Sequence, residues 1–354
     1  MTDIENQSAQ VDDVDLSGLT LEESQSFFQS LGHESYRATQ VMRWIHQGLL
    51  VSFDNMTNLS KKLRQQLEVS ARIGKLSGIK TLKSEDGVKK FLFGLDDGSK
   101  IETVYIPSET HDTLCLSTQV GCAMGCRICR TGQMGFVRNL TAGEIVGQLL
   151  EVRRQVPNSA ITNVVLMGMG EPLANFSNTV RAINIMSNPN GPQISWRRIT
   201  VSTSGLVPQI IELGKTVRVK LAVSLNAVSN EVRNLVMPIN LKYPLEELLA
   251  AMRHFSLTKR DRITIEYVLI KGLNDSDSDA RRLVKLLNPI RAKVNLIPFN
   301  DELFTEFSAP LPKRVASFQD ILMSRSLIAI IRKSRGRDIL AACGQLASPK
   351  GTDC

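Results

Sequence analysis

With 354 residues, 42% hydrophobic and 22% charged, the chain has room for one barrel-sized α/β domain and a small appendage, and its composition suits a sizeable buried core. It holds no run of about eighteen apolar residues, and MTDIENQSAQVDDVD at its start is polar and acidic, which argues against a membrane span or a secretory signal and for a cytoplasmic protein. The net charge of +8 is lopsided: residues 1–36 hold eight acids and no Lys or Arg, so the remainder carries +16. A surplus of that size suits a protein that meets a polyanion such as RNA, although a merely basic surface explains it equally well.

In chain order, LTLEESQSFFQSLG, YRATQVMRWIHQGLL and TNLSKKLRQQLEV carry apolar residues at helical spacing, the last opening on a polar cap. They predict a small helical domain over residues 15–75, after a loose acidic tail at 1–14. From 76 to 118 the period changes to short β segments: GKLSGIKTLKS, KKFLFGLDDGSK with its DDG turn, IETVYIP and TLCLSTQ. This stretch reads as a β extension leading into the next domain. Over 119–347 the apolar strands ITNVVLMGM, RRITVSTSG, RVKLAVSLN, RITIEYVLI, AKVNLIPFN and SLIAIIRKS alternate with helices such as TAGEIVGQLLEVRRQ and PLEELLAAMRHF. That series predicts the α/β class, with a parallel sheet forming a partial (β/α)6-type barrel whose functional residues sit at the C-terminal strand ends. Residues 348–354 read as a loose tail.

Of six cysteines, Cys115, Cys122, Cys126 and Cys129 crowd into fifteen residues, while Cys343 and Cys354 lie near the C-terminus. In a reducing compartment such a cluster points to metal or redox chemistry and not to a disulfide scaffold. Cys122, Cys126 and Cys129 form a CxxxCxxC run after the strand TLCLSTQV. Three thiolates on one loop can bind three irons of a four-iron cluster and leave the fourth open to a chelating ligand. Structural zinc is the other reading, but a fourth Cys or His at short spacing does not follow. GMGEP, at residues 168–172, ends the apolar run VVLM. Its glycines let backbone approach a ligand closely, and Glu171 can accept hydrogen bonds from an ammonium. Alone, such a turn also has the ordinary explanation of a tight strand-to-helix connection.

These motifs, with STSG at 202–205, SLN at 224–226, NLIPFN at 295–300 and RKSRG at 332–336 followed by ACGQ at 342–345, resemble the RlmN family of radical S-adenosylmethionine (SAM) adenine-C2 methyltransferases. The likeness runs from about residue 15 to residue 347. It implies a radical SAM barrel, a [4Fe-4S] cluster on Cys122, Cys126 and Cys129 with SAM on the open iron, and SAM contacts from Gly170, Glu171, Ser202, Ser224, Leu225, Asn226 and Asn300. It also implies that Cys343 is methylated by one SAM and that a 5′-deoxyadenosyl radical from a second takes a hydrogen from that methyl. The resulting carbon radical adds to carbon 2 of adenine, an electron-poor position that does not attack a methyl group as a nucleophile. Cys115 then frees the product by attack on the sulfur of Cys343 through a transient disulfide, and Glu102 serves as proton acceptor.

The resemblance names 23S rRNA as the substrate, at an adenine of the peptidyl-transferase centre, with the adenosine just 3′ of some tRNA anticodons as a second target. A flavodoxin-type electron donor and a monomeric state come with it. Such an adenine must be turned out of its stack, which asks for phosphate contacts. Lys61, Lys62, Arg64, Arg197, Arg198, Arg332, Lys333, Arg335 and Arg337 are candidates, each with an alternative life as a solvated charge. The sequence departs from the family at three places: Ile128 replaces the usual aromatic residue, Asn226 stands where the family reads His, and DELFTEFSAPLPKR after Asn300 lacks the usual pattern. The neighbouring Cfr type, which methylates carbon 8 of the same adenine, keeps the same cysteines; the whole N-terminal domain and the GMGEP wording favour carbon 2. A non-catalytic iron–sulfur RNA-binding protein is the reading from another class, and it leaves Glu171, Ser202, Cys115 and Cys343 without a purpose.

Overall fold

The computed structural model describes residues 13–157, 160–255, 261–301 and 306–347; the tails read at 1–12 and 348–354 lie outside these. β1 (Val14–Asp15) pairs in parallel with β2 (Ala71–Arg72), and between them run α1 (Leu21–Ser30), α2 (Tyr36–His46) and α3 (Lys61–Ser70). α1 starts at a capping box, with Thr20 Oγ1 accepting from Glu23 N and the Glu23 carboxylate accepting from Thr20 N, so donors that a helix start leaves orphaned are satisfied reciprocally. Phe28, Val41, Met42, Ile45, Leu63 and Leu67 project from these helices into the main apolar core.

Three antiparallel strands follow, β3 (Ser77–Lys83), β4 (Lys89–Gly94) and β5 (Lys100–Ile106), and β5 pairs antiparallel with β6 (Asp112–Cys115). The loop with the three clustered cysteines is framed by a small antiparallel ladder, β7 (Gln119–Gly121) and β8 (Phe136–Asn139), with the single turn α4 (Arg130–Gln133) between them. Thereafter strand and helix alternate: α5 (Ala142–Gln155), β9 (Ile161–Leu166), α6 (Phe176–Ser187), β10 (Ile199–Thr203), α7 (Val207–Thr216), β11 (Lys220–Ser224), α8 (Asn230–Val236), α9 (Leu245–His254), β12 (Ile263–Leu269), α10 (Asp277–Leu287), β13 (Ala292–Pro298), α11 (Pro312–Met323) and β14 (Ala329–Ile331).

These strands join one sheet in the order β14-β13-β12-β11-β10-β9-β6-β5-β4-β3. Pairing is parallel from β6 through β9 to β14. The protein is thus an α/β partial barrel with an antiparallel extension at one edge and a helical N-terminal domain. One detail differs from the sequence reading: β6, inside the stretch taken as the extension, pairs in parallel with β9 and is the first strand of the parallel set.

Strand residues alternate in burial because successive side chains point to opposite faces. Val201, Leu221, Val223, Ile265, Tyr267, Val294 and Leu296 are fully buried, and the Tyr267 ring stacks on Phe318 of α11, so this face meets the helices. Ser202, Ser224, Thr264, Glu266, Lys293 and Asn295 occupy the alternate positions, and the parallel register aligns Ser224, Glu266 and Asn295 in one row. The inner face is therefore polar, and all C-terminal strand ends open on the same rim.

The N-terminal domain seats on α5. A Cβ on Gly18 would stand 2.7 Å from the backbone nitrogen of Gly143, so only glycine permits the approach. The Asp15 carboxylate secures the same corner by accepting from Ser17 N and Gly74 N at 2.9 and 2.8 Å. His46, at the end of α2, is fully buried and neither ring nitrogen has a partner. Burial, with the charge of Arg153 on α5 behind it, pushes its imidazole from the ordinary 6.5 down to about 3. The unfolded chain therefore takes up a proton near pH 6.5 that the fold refuses, and stability present above that pH is lost as pH falls toward 3. The cost is ~1.4 kcal/mol for each pH unit in that window. Urea titrations at pH 7.5 and 5.5 are expected to show this loss in the wild type and a smaller one in His46→Leu; equal losses in both would remove His46 as the cause.

Candidate active site

The cysteine loop leaves the C-terminal end of β6. Its base is held by Cys122 N donating to Gly135 O (2.8 Å) and its middle by Arg127 N donating to Val236 O at the end of α8 (3.0 Å). Cys122 is buried, and Cys126 and Cys129 are half-buried. Burial, followed by the charges of Glu171 and Cys129, pushes the Cys122 thiol up to about 12; burial and then the other two thiols push Cys126 up as well. Cys122 and Cys126 thus both feel the sulfur of Cys129, and Cys126 feels that of Cys122 as well, each opposing their ionisation. A metal centre that takes them as thiolates removes that opposition. Among the described residues no three His, Cys, Asp or Glu side chains stand close enough to hold a single ion. Ile128, beside the last of the three, packs with Val236, Met237, Ile270 and Phe299.

GMGEP follows β9 and presses on the strand-to-loop backbone of residues 116–119. Gly168 N donates to Leu116 O (3.0 Å), Thr118 N donates to Met169 O (2.8 Å) and Glu171 N donates to Gln119 Oε1 (2.8 Å). Gly170 has φ +97°, and a Cβ there would fall 2.5 Å from Gln119 Cβ. The glycine is required by the neighbouring backbone, whatever ligand lies beyond it. The Glu171 carboxylate is buried and accepts from Leu173 N (3.1 Å) and Ser204 N (2.7 Å). Burial raises its proton affinity, and those donors act in the opposite sense.

The other rim residues divide in two. Ser202 and Ser224 are half-buried on the inner face. Asn300, just past β13, is 6% exposed, and neither amide oxygen nor amide nitrogen has a partner; an orphaned carboxamide at that depth is costly unless something hydrogen-bonds to it. Leu225 and Asn226 are committed within the protein. The Leu225 side chain lies in the core, its N donates to Glu266 O and its O accepts from Arg233 Nε. Asn226 sits at φ +58°, its Oδ1 accepts from Val268 N (2.8 Å) and its Nδ2 faces Met237 Sδ (3.1 Å). Its amide is a brace between β11 and β12.

Sequence reasoning missed Arg233 and Glu266. Arg233, fully buried on α8, donates to the carbonyls of Ser204 (2.6 Å), Ser224 (3.2 Å) and Leu225 (3.0 Å) and to Asn240 Oδ1 (3.0 Å). It ties the ends of β10 and β11 together, and burial lowers its guanidinium to about 10 while Cys126 works against that. Glu266, in the middle of β12, accepts from Asn295 Nδ2 (2.9 Å) and is pushed up by burial. A charge at an alternate position of an otherwise apolar strand was the available signal.

The C-terminal segment returns to this rim. Arg130 N donates to Gly344 O (2.8 Å) and Thr131 Oγ1 to Leu346 O (2.6 Å), fastening it to α4. Cys343 is exposed, and its thiol is pushed up to about 12 by the surrounding protein first and then by Glu266, Cys129 and Cys115. Cys115 is buried at the end of β6, and burial holds it at about 12 too. The fold thus brings together two free thiols far apart in sequence. Glu102 on β5 is buried; its Oε1 lies 2.9 Å from Lys90 Nζ and its Oε2 accepts from Ala347 N (2.9 Å).

The cations considered for RNA divide likewise. Arg335 donates to Asp86 and Pro107 O, Arg64 donates to Asp54 O, Arg197 lies over the Trp196 ring and Arg198 donates to Thr162 Oγ1. Arg197 and Arg198 precede β10, at the end of the sheet opposite the cysteine rim. The segment after Asn300 reaches the cysteine loop, with Arg127 paired to Glu306 and lying over Phe307; residues 302–305 are outside the described residues. Arg233→Met leaves the buried carbonyls of Ser204, Ser224 and Leu225 short of a donor, and is expected to cost on the order of 3 kcal/mol in urea denaturation. A cost below about 0.5 kcal/mol, the range of ordinary surface changes, would mean that the rim does not need the clamp.

Known proteins bear on this site. Residues 14–73 match the family model of the ribosomal RNA large subunit methyltransferase N-terminal domain, and residues 116–284 match the radical SAM superfamily. The chain is 54% identical over 334 residues to a dual-specificity RNA methyltransferase RlmN of Syntrophotalea carbinolica, covering 94% of this chain and 89% of that one. It is 51% identical to the protein of the same description from Geobacter sulfurreducens, covering 94% and 92%. The crystal structure of a radical SAM methyltransferase from Sphaerobacter thermophilus superposes with a TM-score of 0.89 at 43% identity, covering 94% of this chain and 99% of that one. Together with the rim geometry, these similarities establish that the chain belongs to the RlmN family of RNA methyltransferases, enzymes of the radical SAM superfamily that use a [4Fe-4S] cluster and SAM.

Proposed function

We propose that this protein methylates carbon 2 of adenine 2503 in 23S rRNA, and the adenosine 3′ of some tRNA anticodons, through a methyl group carried on Cys343. The observation that carries the reading is the meeting, at one rim of the parallel sheet, of the cysteine triad with Glu171, the partnerless buried Asn300, Cys115 and the returning Cys343. The dual-specificity description of the relatives fits two RNA substrates. A cytoplasmic monomer served by a flavodoxin-type donor completes the reading.

The residues present fit both cofactors. Cys122, Cys126 and Cys129 would hold the cluster, whose chemistry when bound is one-electron cleavage of SAM to a carbon radical. Glu171 has carboxylate lone pairs beyond the two donors it already accepts and would receive the SAM ammonium. Asn300 would gain the partners it lacks from the polar edge of the nucleoside, and Ser202 and Ser224 face the same space. Gly170 lets the backbone turn tightly there, and Leu225 and Asn226 shape the floor.

On the protein's side, Cys343 must lose its proton to take a methyl group. Burial and the nearby carboxylate of Glu266 raise its proton affinity, so the methylation step must also remove that proton. After the one-carbon unit joins the base, the Cys115 thiol gives up its proton and attacks the Cys343 sulfur. One S–S bond forms, the bond from that sulfur to the transferred carbon breaks, and the electron pair stays with that carbon, which a proton completes as methyl. Glu102 would serve as proton acceptor for the ring hydrogen, and the one electron released with it would return to the cluster that gave one electron to SAM; Glu102 reaches the Cys343 segment through Ala347.

Anaerobically reconstituted, reduced enzyme is to be incubated with SAM and a 23S rRNA fragment, and the nucleosides analysed by mass spectrometry. The expected product is 2-methyladenosine, lost in Cys343→Ala and in Cys115→Ala. Formation of 8-methyladenosine would overturn carbon 2 in favour of the Cfr type, and 5′-deoxyadenosine without a methylated base would overturn the choice of RNA.

A further inference from the structure

The antiparallel extension is more than an edge to the sheet. Its turn between β3 and β4 and the strands β4 and β5 supply a row of contacts to residues 335–347, the segment that ends in the returning cysteine. Ser84 Oγ donates to Asp338 Oδ1 (2.6 Å), Glu85 N donates to Asp338 Oδ2 (3.3 Å) and Asp86 Oδ2 accepts from Gly336 N (3.1 Å). Deeper in, Lys90 Nζ on β4 donates to Leu340 O (3.1 Å), while Glu102 on β5, directly bonded to Lys90, accepts from Ala347 N (2.9 Å). The register sets Lys90 opposite Val104 and Leu92 opposite Glu102, so the two charged side chains are diagonal neighbours on one face.

One buried ion pair therefore grips the segment on both sides of Cys343. Leu340 lies three residues before the cysteine and Ala347 four after it, with Gly344 at φ +80° beside it. Leu340 itself stands at φ +52°, a conformation that leucine adopts only under constraint. Its carbonyl is the one that Lys90 takes, which accounts for the constraint. Side-chain exposure of 9% and 6% for Lys90 and Glu102 keeps water from competing for either contact.

We infer that Lys90 and Glu102 form a clasp that positions Cys343, fixing both ends of its segment while leaving the thiol between them free to meet successive partners. The clasp deepens the proposed methyl-carrier role of Cys343, but it does not depend on it to be tested. In this assignment Lys90 is a positioning residue, and Glu102 holds Lys90 and Ala347 N beside its proposed role as proton acceptor.

The test uses the full-length, cofactor-free protein and the rate at which iodoacetamide alkylates Cys343, followed peptide by peptide in a mass spectrometer. Lys90→Met and Glu102→Gln are each expected to raise that rate by about fivefold, the opening gained when one net hydrogen bond is lost, and Lys90→Arg is expected to restore it. The buried Cys115 reports on folding: its protection must persist in every variant counted, and Lys90→Gln serves in place of Lys90→Met if the latter does not fold. With reconstituted enzyme, the same variants are expected to release more 5′-deoxyadenosine for each methylated adenosine, because radical formation does not await the cysteine. If Cys343 alkylation is unchanged in both Lys90→Met and Glu102→Gln, the clasp is overturned, and a loss of methylation confined to Glu102→Gln then leaves Glu102 with the proton-acceptor role alone. Should no RNA be methylated by the wild type, the proposed substrate fails while the alkylation rates still decide the clasp.

Discussion

The site depends on the close contact between residues 116–119, which lead from β6 into the cysteine loop, and residues 168–171, which leave β9. Backbone hydrogen bonds run between the two segments at Gly168 and Thr118, the Gln119 side chain accepts from Glu171 N, and Gly170 leaves no room for a side chain against Gln119. The contact sets the cysteine loop at a defined height over the strand ends. It also turns the Glu171 carboxylate toward Ser204, so that β6, β9 and β10 are bound into one rim. Parallel pairing does the rest, because strands that run the same way deliver their C-terminal ends to the same side.

Buried charge extends this order around the rim. Arg233 gathers three carbonyls from β10 and β11 and the Asn240 amide, and Asn226 spans from β11 to β12. Each spends its polar atoms on backbone that would otherwise lack partners at the end of a sheet. What remains unspent is informative. Among the described residues, Asn300 keeps both amide atoms without a partner, which marks the face where the protein awaits a polar ligand. The inner row of Ser224, Glu266 and Asn295 makes the hollow beneath it polar as well.

Much of this was legible along the chain. Helical and strand periods, the polar cap before α3 and the run of αβ units depend on neighbours within a few residues, so pattern alone revealed them. The CxxxCxxC spacing and GMGEP were equally visible, because a loop that ligates metal and a turn that admits close backbone contact are local requirements. The parallel pairing of β6 was not visible: a short strand looks the same whether its neighbour runs with it or against it, and β9, its partner, lies some fifty residues on.

The sequence by itself determined the class of fold, the cysteine triad and the family likeness, because each is written in spacing and residue type. Only the tertiary structure decided what the isolated charges do. Lys90 reads as an ordinary strand residue, and Glu102 has a role only by family likeness, until the sheet sets them diagonally and the C-terminal segment folds across them. Apart from the family likeness, Cys115 and Cys343 are lone thiols until that same segment returns to the rim. Arg233 reads as a surface charge on a short helix until burial commits it to three carbonyls. In each case the deciding interaction is long-range and electrostatic, and its strength is set by exclusion of water, a property of the packed chain and not of any segment of it.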